Sequence, residues 1–495
     1  MLNYFLLYQP HYFTITKKIL FLILLSCLIF VSPNLVKSEV YLKKIGNDLE
    51  YPWGMDFLDE NTILVTQKTG KIISVVGNLL EVSAITVEIG GMAEIDGCLC
   101  EVIGARKGVA LLMALDPLPR VQLGATVVFL NRQVSLPVGD VLIGRVLDPL
   151  GRPKDGKGAI ESVEYRPLDG SAPNPMLRSR IDRNVETGVR VIDGLLSLGE
   201  GQRIAIMAGS GVGKSTLMGM LARNSNADIN VIALVGERGR EVREFIENDL
   251  QEEGMKKSVV VVSTSDVTPA LQIKGMQSAT AIAEYFRDQG KSVLLMTDSI
   301  TRLAMAQRQL GLAAGEPPTT KGYPPSVFTL LPRVLERAGC GESIDGKKGG
   351  SITSVSTVLI EGDDINDPIG DTVRSIVDGH IVLSRRLVGY GHYPPVDVLQ
   401  SLSRTMPMTV TGQHMSDALS IRKMLAVYDE NEELIRLGAY KRGSDRLVDL
   451  SISLKSEIDA ILQQDKSETE SMQSVVQRMR GLAEKITSRQ GKRRT

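Results

Sequence analysis

Three kinds of hydrophobic pattern follow one another along the chain. Between residues 71 and 138, short apolar or alternating runs at 71–76, 84–88, 109–112 and 126–130 are cut by Gly, Asp and Pro, which predicts a small β-barrel. Turn residues crowd 136–156 and a looped stretch fills 167–175, so a domain boundary belongs there. From about 187 to 407, apolar β-rich runs (231–235, 259–262, 293–296) alternate with helical stretches (214–224, 279–288). That alternation predicts a parallel sheet covered by helices. Beyond Gln413 the Gly and Pro content falls, and 415–486 has helical composition with a basic end at Lys492, Arg493 and Arg494. The expected α/β protein therefore comprises a barrel at 71–138, a connector at 139–186, a sheet domain at 187–412 and a helical domain at 413–495.

The first 70 residues do not fit that plan. Lys17 and Lys18 precede an apolar run at 19–31, and small or branched residues follow at 36–38, which is a secretory signal pattern over 1–38. The run is short for a membrane span. Cys27 lies inside it and only loosely suggests a lipoprotein site. Residues 49–72, LEYPWGMDFLDENTILVTQKTGKI, resemble the opening strands of the quinoprotein sugar dehydrogenases, secreted β-propellers. A propeller needs several blades, and the pattern never recurs. The expectation is that 1–38 and 39–70 are a fusion or gene-assignment artefact and that the working chain begins near Gly70.

Composition sharpens the picture in two ways. With 43% hydrophobic residues, 23% charged residues and a net charge of −1 over 495 residues, the chain reads as an ordinary soluble protein without general affinity for polyanions, so nucleic acid is not an expected partner. Four cysteines are too few for a disulfide framework and fit a reducing compartment. Cys98 and Cys100 fall on one face of a strand and read as small buried side chains rather than metal ligands.

The chemistry sits in the sheet region. The strand at 203–207 runs into AGSGVGKST (Ala208, Gly209, Ser210, Gly211, Val212, Gly213, Lys214, Ser215, Thr216) and then into a helical stretch. Small residues there let consecutive backbone N–H groups curl around a phosphate at a helix N-terminus. Lys214 is placed to reach the outer phosphates and Ser215 to bind magnesium, as a P-loop requires for ATP and Mg2+. Ala208 stands where the motif usually begins with Gly. VLLMTDSITR at 293–302 is an apolar strand ending in Asp298, a carboxylate suited to the magnesium shell or to a helix cap. LVGERGREV at 234–242 delivers Glu237 and Arg238 into a charged turn; Glu237 is a candidate for polarising water and Arg238 for the terminal phosphate, with a surface ion-pair cluster as the alternative.

These runs, together with TGVRVIDGLLSLGEGQR at 187–203, IAEYFRDQGK at 282–291 and PPVDVLQSLSR at 394–404, occur in one order over about 71–495 and resemble the rotary-ATPase catalytic subunits and their secretion relatives. The resemblance implies a RecA-like P-loop core in which Lys214 and Ser215 serve phosphate and magnesium and Glu237 positions water. It further implies that Arg238 and Arg302 contact the γ-phosphate, that Tyr393 stacks on adenine, and that Arg404 is an arginine finger offered to a neighbouring subunit. Carrying both sets of groups, the chain is expected to form a homohexamer. The runs GERGREV, 315–339 and 350–387 look like the flagellar and type III secretion export ATPases, the flagellar branch being preferred over the virulence branch and over the ATP synthase catalytic subunit. A non-hydrolysing scaffold is disfavoured by Lys214, Glu237 and Arg404. Implied partners are stator and stalk proteins, a membrane export gate, export substrates and their chaperones, with a cytoplasmic place at the inner membrane. Gln272 departs from the family's usual Arg, and the family's N-terminal stator-binding helix is replaced.

Overall fold

The computed structural model describes residues 52–57, 63–67, 69–84, 87–130, 132–161, 164–343, 349–360 and 367–491. The signal-like run and Cys27 lie outside them. Within the segment that resembles a dehydrogenase, Pro52–Phe57 and Ile63–Gln67 pair as an antiparallel two-stranded sheet.

A closed barrel follows, with strand order Thr69–Val76, Leu79–Ser83, Val109–Ala114, Cys98–Arg106, Met92–Ile95, Thr126–Leu130 and back to the first. Closure leaves no unpaired edge. Cys98, Cys100 and Val102 turn inward against Leu80, Ile95 and Leu112. Burial raises the pKa of both thiols, so they remain small neutral core groups. The strand expected at 84–88 lies earlier, at Leu79–Ser83. Gly77, at φ +60°, and Asn78 reverse the chain straight after Val76, a two-residue hairpin whose signal the apolar run at 84–88 overshadowed. Ala84 has already left the ladder, and its N–H donates to the Gly108 carbonyl at 2.9 Å.

The central sheet runs Val146–Leu147, Ser258–Thr264, Ile229–Glu237, Ser292–Asp298, Ser351–Leu359, Arg203–Ala208, Gly379–Leu383 and Val396–Ser403. All are parallel except the last, which pairs antiparallel with Gly379–Leu383, while Gly339–Cys340 adds a short antiparallel partner to Ser351–Leu359. Most of these strands are apolar because both faces are covered, whereas Ser351–Leu359 buries Ser351, Thr353, Ser354, Ser356 and Thr357. Along Arg203–Ala208, Ile204, Ile206 and Ala208 enter one core and Ala205 and Met207 the other.

The helix expected at 279–288 is much longer, Pro269–Asp288. Thr268 caps it by accepting from the Leu271 N–H, and Pro269 occupies the first turn, where no N–H is needed. Gly275 hid the first half from view. It is there because the helix presses on the sheet: a Cβ at that position would sit 2.5 Å from Ser263 Oγ. At the preceding residue, Lys274 Nζ meets Glu101 Oε1 of the barrel at 2.7 Å, and the lysine is only 5% exposed.

Gly412–Arg436, Arg446–Leu462 and Met472–Gly491 form the helical end of the chain. Ile421, Leu454 and Val475 join the same core as Ile204 and Ile206, so this domain covers one face of the sheet region. The fold is thus the expected barrel, parallel-sheet core and helical end. Among the described residues no helix is long and apolar enough to cross a membrane.

Candidate functional site

The P-loop leaves the sheet at Ala208 and re-enters regular structure at the helix Lys214–Asn224. Gly211 and Gly213 have φ of +75° and +92°, conformations that favour glycine, and around Gly211 no atom lies within 4 Å of where a side chain would project. The loop is therefore an open cradle of backbone, suited to an anion. Arg385 ties it from outside, donating to the Ser210 carbonyl at 3.3 Å. Ser215 is partly buried at the start of the helix; Thr216 instead bonds to Asp249, a packing contact behind the loop.

Lys214 turns its ammonium back over the sheet. Its Nζ lies 2.5 Å from Asp298 Oδ1 and 3.9 Å from Glu237 Oε1. Asp298 ends Ser292–Asp298, is buried, and also accepts from Thr357 Oγ1 at 2.8 Å. Two neighbouring strand ends thus hold one carboxylate. Thr357 carries no motif, and only the strand order brings it there.

Glu237 arrives by a different device. The pairing of Ile229–Glu237 with Ser258–Thr264 slips between Val235 and Glu237, where Gly236 takes φ +69°. A bulge of this kind re-aims the next side chain. Gly236 is also needed for room, since a Cβ would lie 2.8 Å from Arg302 Cβ. Burial, the nearby Asp298 charge and a hydrogen bond to Glu241 push the Glu237 carboxyl up to about 7, against the opposing pull of Lys214. Glu241, hydrogen-bonded to it and beside Arg238, is shifted down.

Arg302, on Ile300–Ala313, has a buried Nε without a hydrogen-bond partner among the described residues. Such an orphaned donor beside a phosphate cradle fits a site built for a bound anion. Asp298 and Ser215 are the groups suited to magnesium. Among the described residues no three His, Cys, Asp or Glu side chains converge as a metal site, so most of its ligands would be phosphate oxygens and water.

The structure therefore gathers Lys214, Asp298, Glu237 and Arg302, and sets the candidates Arg238, Tyr393 and Arg404 apart. Arg238 points to solvent, 78% exposed and 3.5 Å from Glu241. Gln272 keeps its amide on the Val267 carbonyl at 3.2 Å, near the bulge. Tyr393 is half exposed just before Val396–Ser403, at the same end of the sheet as the P-loop: Leu383 pairs with both Ala208 and Val396. The neighbouring Pro395 comes within 4.0 Å of the Cβ position of Gly213.

Arg404 follows the other end of that strand. Its N–H donates to the Asp378 carbonyl at 2.9 Å, and the Asp378 N–H in turn donates to the Arg203 carbonyl at 2.8 Å. It thus stands beside the start of the P-loop strand, five residue steps and roughly 17 Å from the loop. It is exposed and among the described residues forms no ion pair.

Against known proteins, residues 188–403 match the nucleotide-binding domain of the ATP synthase alpha/beta family, and residues 410–481 match the C-terminal domain of the type III secretion ATPase EscN. The type 3 secretion system ATPase of Xanthomonas euvesicatoria is 50% identical over 406 residues, spanning 81% of this chain and 90% of that protein. The flagellum-specific ATP synthase of Bacillus subtilis is 49% identical over 409 residues, spanning 81% and 92%. The assembled ATPase EscN of enteropathogenic E. coli superposes with a TM-score of 0.78 at 43% identity, over 84% of this chain and all of that one. Its complex with the central stalk EscO gives 0.77 at 42%, over the same shares.

Proposed function

Since this chain belongs to the flagellar and type III secretion ATPase family within the ATP synthase alpha/beta family, we propose that it hydrolyses MgATP in a ring of identical subunits, each finishing its neighbour's site. The observation that carries this reading is the position of Arg404. An arginine at the far end of the sheet is out of reach of its own P-loop, yet it is exposed and forms no ion pair among the described residues, as a group destined for another subunit's nucleotide would be.

Within one subunit the roles divide as follows. Lys214 leaves Asp298 for the outer phosphates, and Arg302 offers its free Nε to the γ-phosphate. Ser215 and Asp298, freed of the lysine, would hold magnesium, which would offset the charge of the phosphate oxygens. Glu237, once ionised, accepts a hydrogen bond from the attacking water and orients it in line. Arg238 swings in from solvent only on nucleotide binding, and Tyr393 provides the face on which adenine stacks.

The work done is ATP-driven protein export. We assign it to the flagellar apparatus on the likeness of residues 315–339 and 350–387, with a virulence secretion system as the second reading, favoured by the Xanthomonas relative at 50% identity. Deleting the gene separates them by phenotype: loss of filaments and motility against loss of effector secretion. The proposed partners are a stalk protein, a stator, the membrane export gate and chaperone-bound substrates, and the proposed place is the cytoplasmic face of the inner membrane.

The ring is tested by diluting the protein. Specific MgATPase activity is expected to rise with concentration through the assembly transition, because a monomer lacks the neighbour's arginine. Constant specific activity across that transition would overturn the interfacial site.

A further inference from the structure

Three stretches of chain meet at Gln464, which is 4% exposed. Its side-chain Nε2 donates to the Gly188 and Glu468 carbonyls, both at 2.8 Å, and its Oε1 accepts from the Arg190 N–H at 2.8 Å. Its backbone N–H donates to the Tyr393 carbonyl, also at 2.8 Å. Every polar group of its amide is thereby used, in a place where an unpaired one would be costly. The preceding Gln463 reaches the same loop, its Nε2 lying 3.2 Å from His392 Nδ1. Arg190 closes the assembly from the nucleotide domain: it holds Glu470 at 2.6 Å, Glu468 at 2.7 Å and the Gln463 carbonyl at 2.8 Å.

These contacts join parts with different jobs. Gln463 and Gln464 follow the helix Arg446–Leu462 of the C-terminal domain. Gly188 and Arg190 open the short helix Arg190–Leu195, which leads through the turn at 197–202 into the P-loop strand. Tyr393 is the half-exposed aromatic beside the P-loop. Among the described residues its hydroxyl has no hydrogen bond, so the height at which the ring stands is set by its backbone, and that backbone is held by Gln464.

We propose that Gln464 is a positioning residue for the nucleobase seat: it fixes Tyr393 through the backbone and makes base binding depend on where the C-terminal helices stand. This rests on the reading of Tyr393 as the stacking residue. The arginine clamp makes the dependence two-way. When the C-terminal helices shift, the turn at 463–470 moves with them and drags Tyr393, and a stacked base that holds Tyr393 in place resists the shift by the same free energy.

The test separates the base from the phosphates. Binding of MgATP and of magnesium tripolyphosphate, which has no base, is measured on the assembled protein for Tyr393→Ala, Gln464→Met and the double variant. Methionine has about the volume of glutamine and lacks its polar groups, and Arg190→Lys is the second probe, loosening the turn while Gln464 stays intact. An aromatic–base stack supports a loss of about tenfold in ATP affinity on Tyr393→Ala with tripolyphosphate unchanged. Gln464→Met is expected to show the same selective loss, Arg190→Lys a smaller one, and the double variant no more than Tyr393→Ala alone, since both changes remove one interaction. If Tyr393→Ala is selective but Gln464→Met and Arg190→Lys weaken both ligands alike, or neither, the positioning role is overturned and the stacking role stands. If Tyr393→Ala leaves ATP affinity unchanged, the stacking role fails and the positioning role falls with it.

Discussion

The two ends of the central sheet treat charge in opposite ways. At the P-loop end, Lys214 is neutralised inside its own chain by Asp298 at 2.5 Å, with the Glu237 carboxyl 3.9 Å away, all three largely buried. At the other end, Arg404 stands exposed without an ion pair among the described residues. Buried charges need partners at all times, and the P-loop end supplies them until a nucleotide takes over. A solvated charge needs none, so an arginine can wait on the surface for a site completed by assembly. On the proposed reading of Arg404, the difference separates a half of the machinery finished by folding from one finished by association.

Mixing variants is the strongest way to break this comparison. Lys214→Ala and Arg404→Ala are each expected to lose about 10³-fold or more in turnover, the range arginine fingers span. Combined in one ring, they are expected to recover activity at interfaces that pair an intact P-loop with an intact Arg404. Mixed rings without recovery, in which wild-type chains titrated into either variant do restore turnover, would place Arg404 in its own subunit's site.

A second test bears on the P-loop end alone. Glu237→Gln is expected to bind MgATP nearly as the wild type does and to hydrolyse it about 10² to 10⁴ times more slowly, read as kcat against ATP affinity. The pH profile gives the same residue a signature. Because the Glu237 carboxyl titrates near 7 in the free protein, wild-type kcat/KM should fall as the pH drops below that value, and the residual rate of Glu237→Gln should be flat there. The same shift sets a sign for stability. Between 4.5 and about 7 the unfolded chain ionises this carboxyl while the folded chain keeps its proton, so the stability it lends is present below 4.5 and lost as pH rises through 7.

The smallest effect is expected on the solvent side of the same turn. Arg240 pairs with Glu244 at 3.3 Å while 82% exposed, an ion pair in full contact with water. Arg240→Ala should move the thermal midpoint by no more than about 2 °C and leave turnover unchanged. A large loss of activity there would mean that the exposed arginines of this turn, Arg238 included, already act in the free chain.

How much of this could be read from residues alone follows from what each feature depends on. The P-loop helix was legible to the residue, Lys214–Asn224, because glycine, lysine and apolar spacing are local signals. The parallel sheet was legible from the unbroken apolar runs at 231–235, 259–262 and 293–296, while Ser351–Leu359, whose buried Ser and Thr interrupt the pattern, carried no such signal. Thr357 and Gln464 were not, since each acquires its role from neighbours 59 and 71 positions away, Asp298 and Tyr393, and neither belongs to a motif. Gly275 misled in an instructive way: a residue that weakens helix propensity marked the point of closest helix–sheet approach. Arg238 and Arg302 looked equivalent as candidates, and only burial separates the one in solvent from the one with an orphaned Nε.

The buried pair between Lys274 and Glu101 decides where the molecule can bend. Pulling the barrel away from the long helix would strand an ammonium that is 5% exposed, and uncoupling a buried pair of this kind costs about 3–5 kcal/mol. The barrel and the sheet are riveted there by charge, whereas the C-terminal helices are held to the sheet by a shared apolar core, with Ile421, Leu454 and Val475 against Ile204 and Ile206, and by the Arg190 clamp at its edge. One joint therefore resists parting through a single buried charge, the other through apolar area spread over a whole face, so a charge-removing substitution loosens the first and leaves the second as it was.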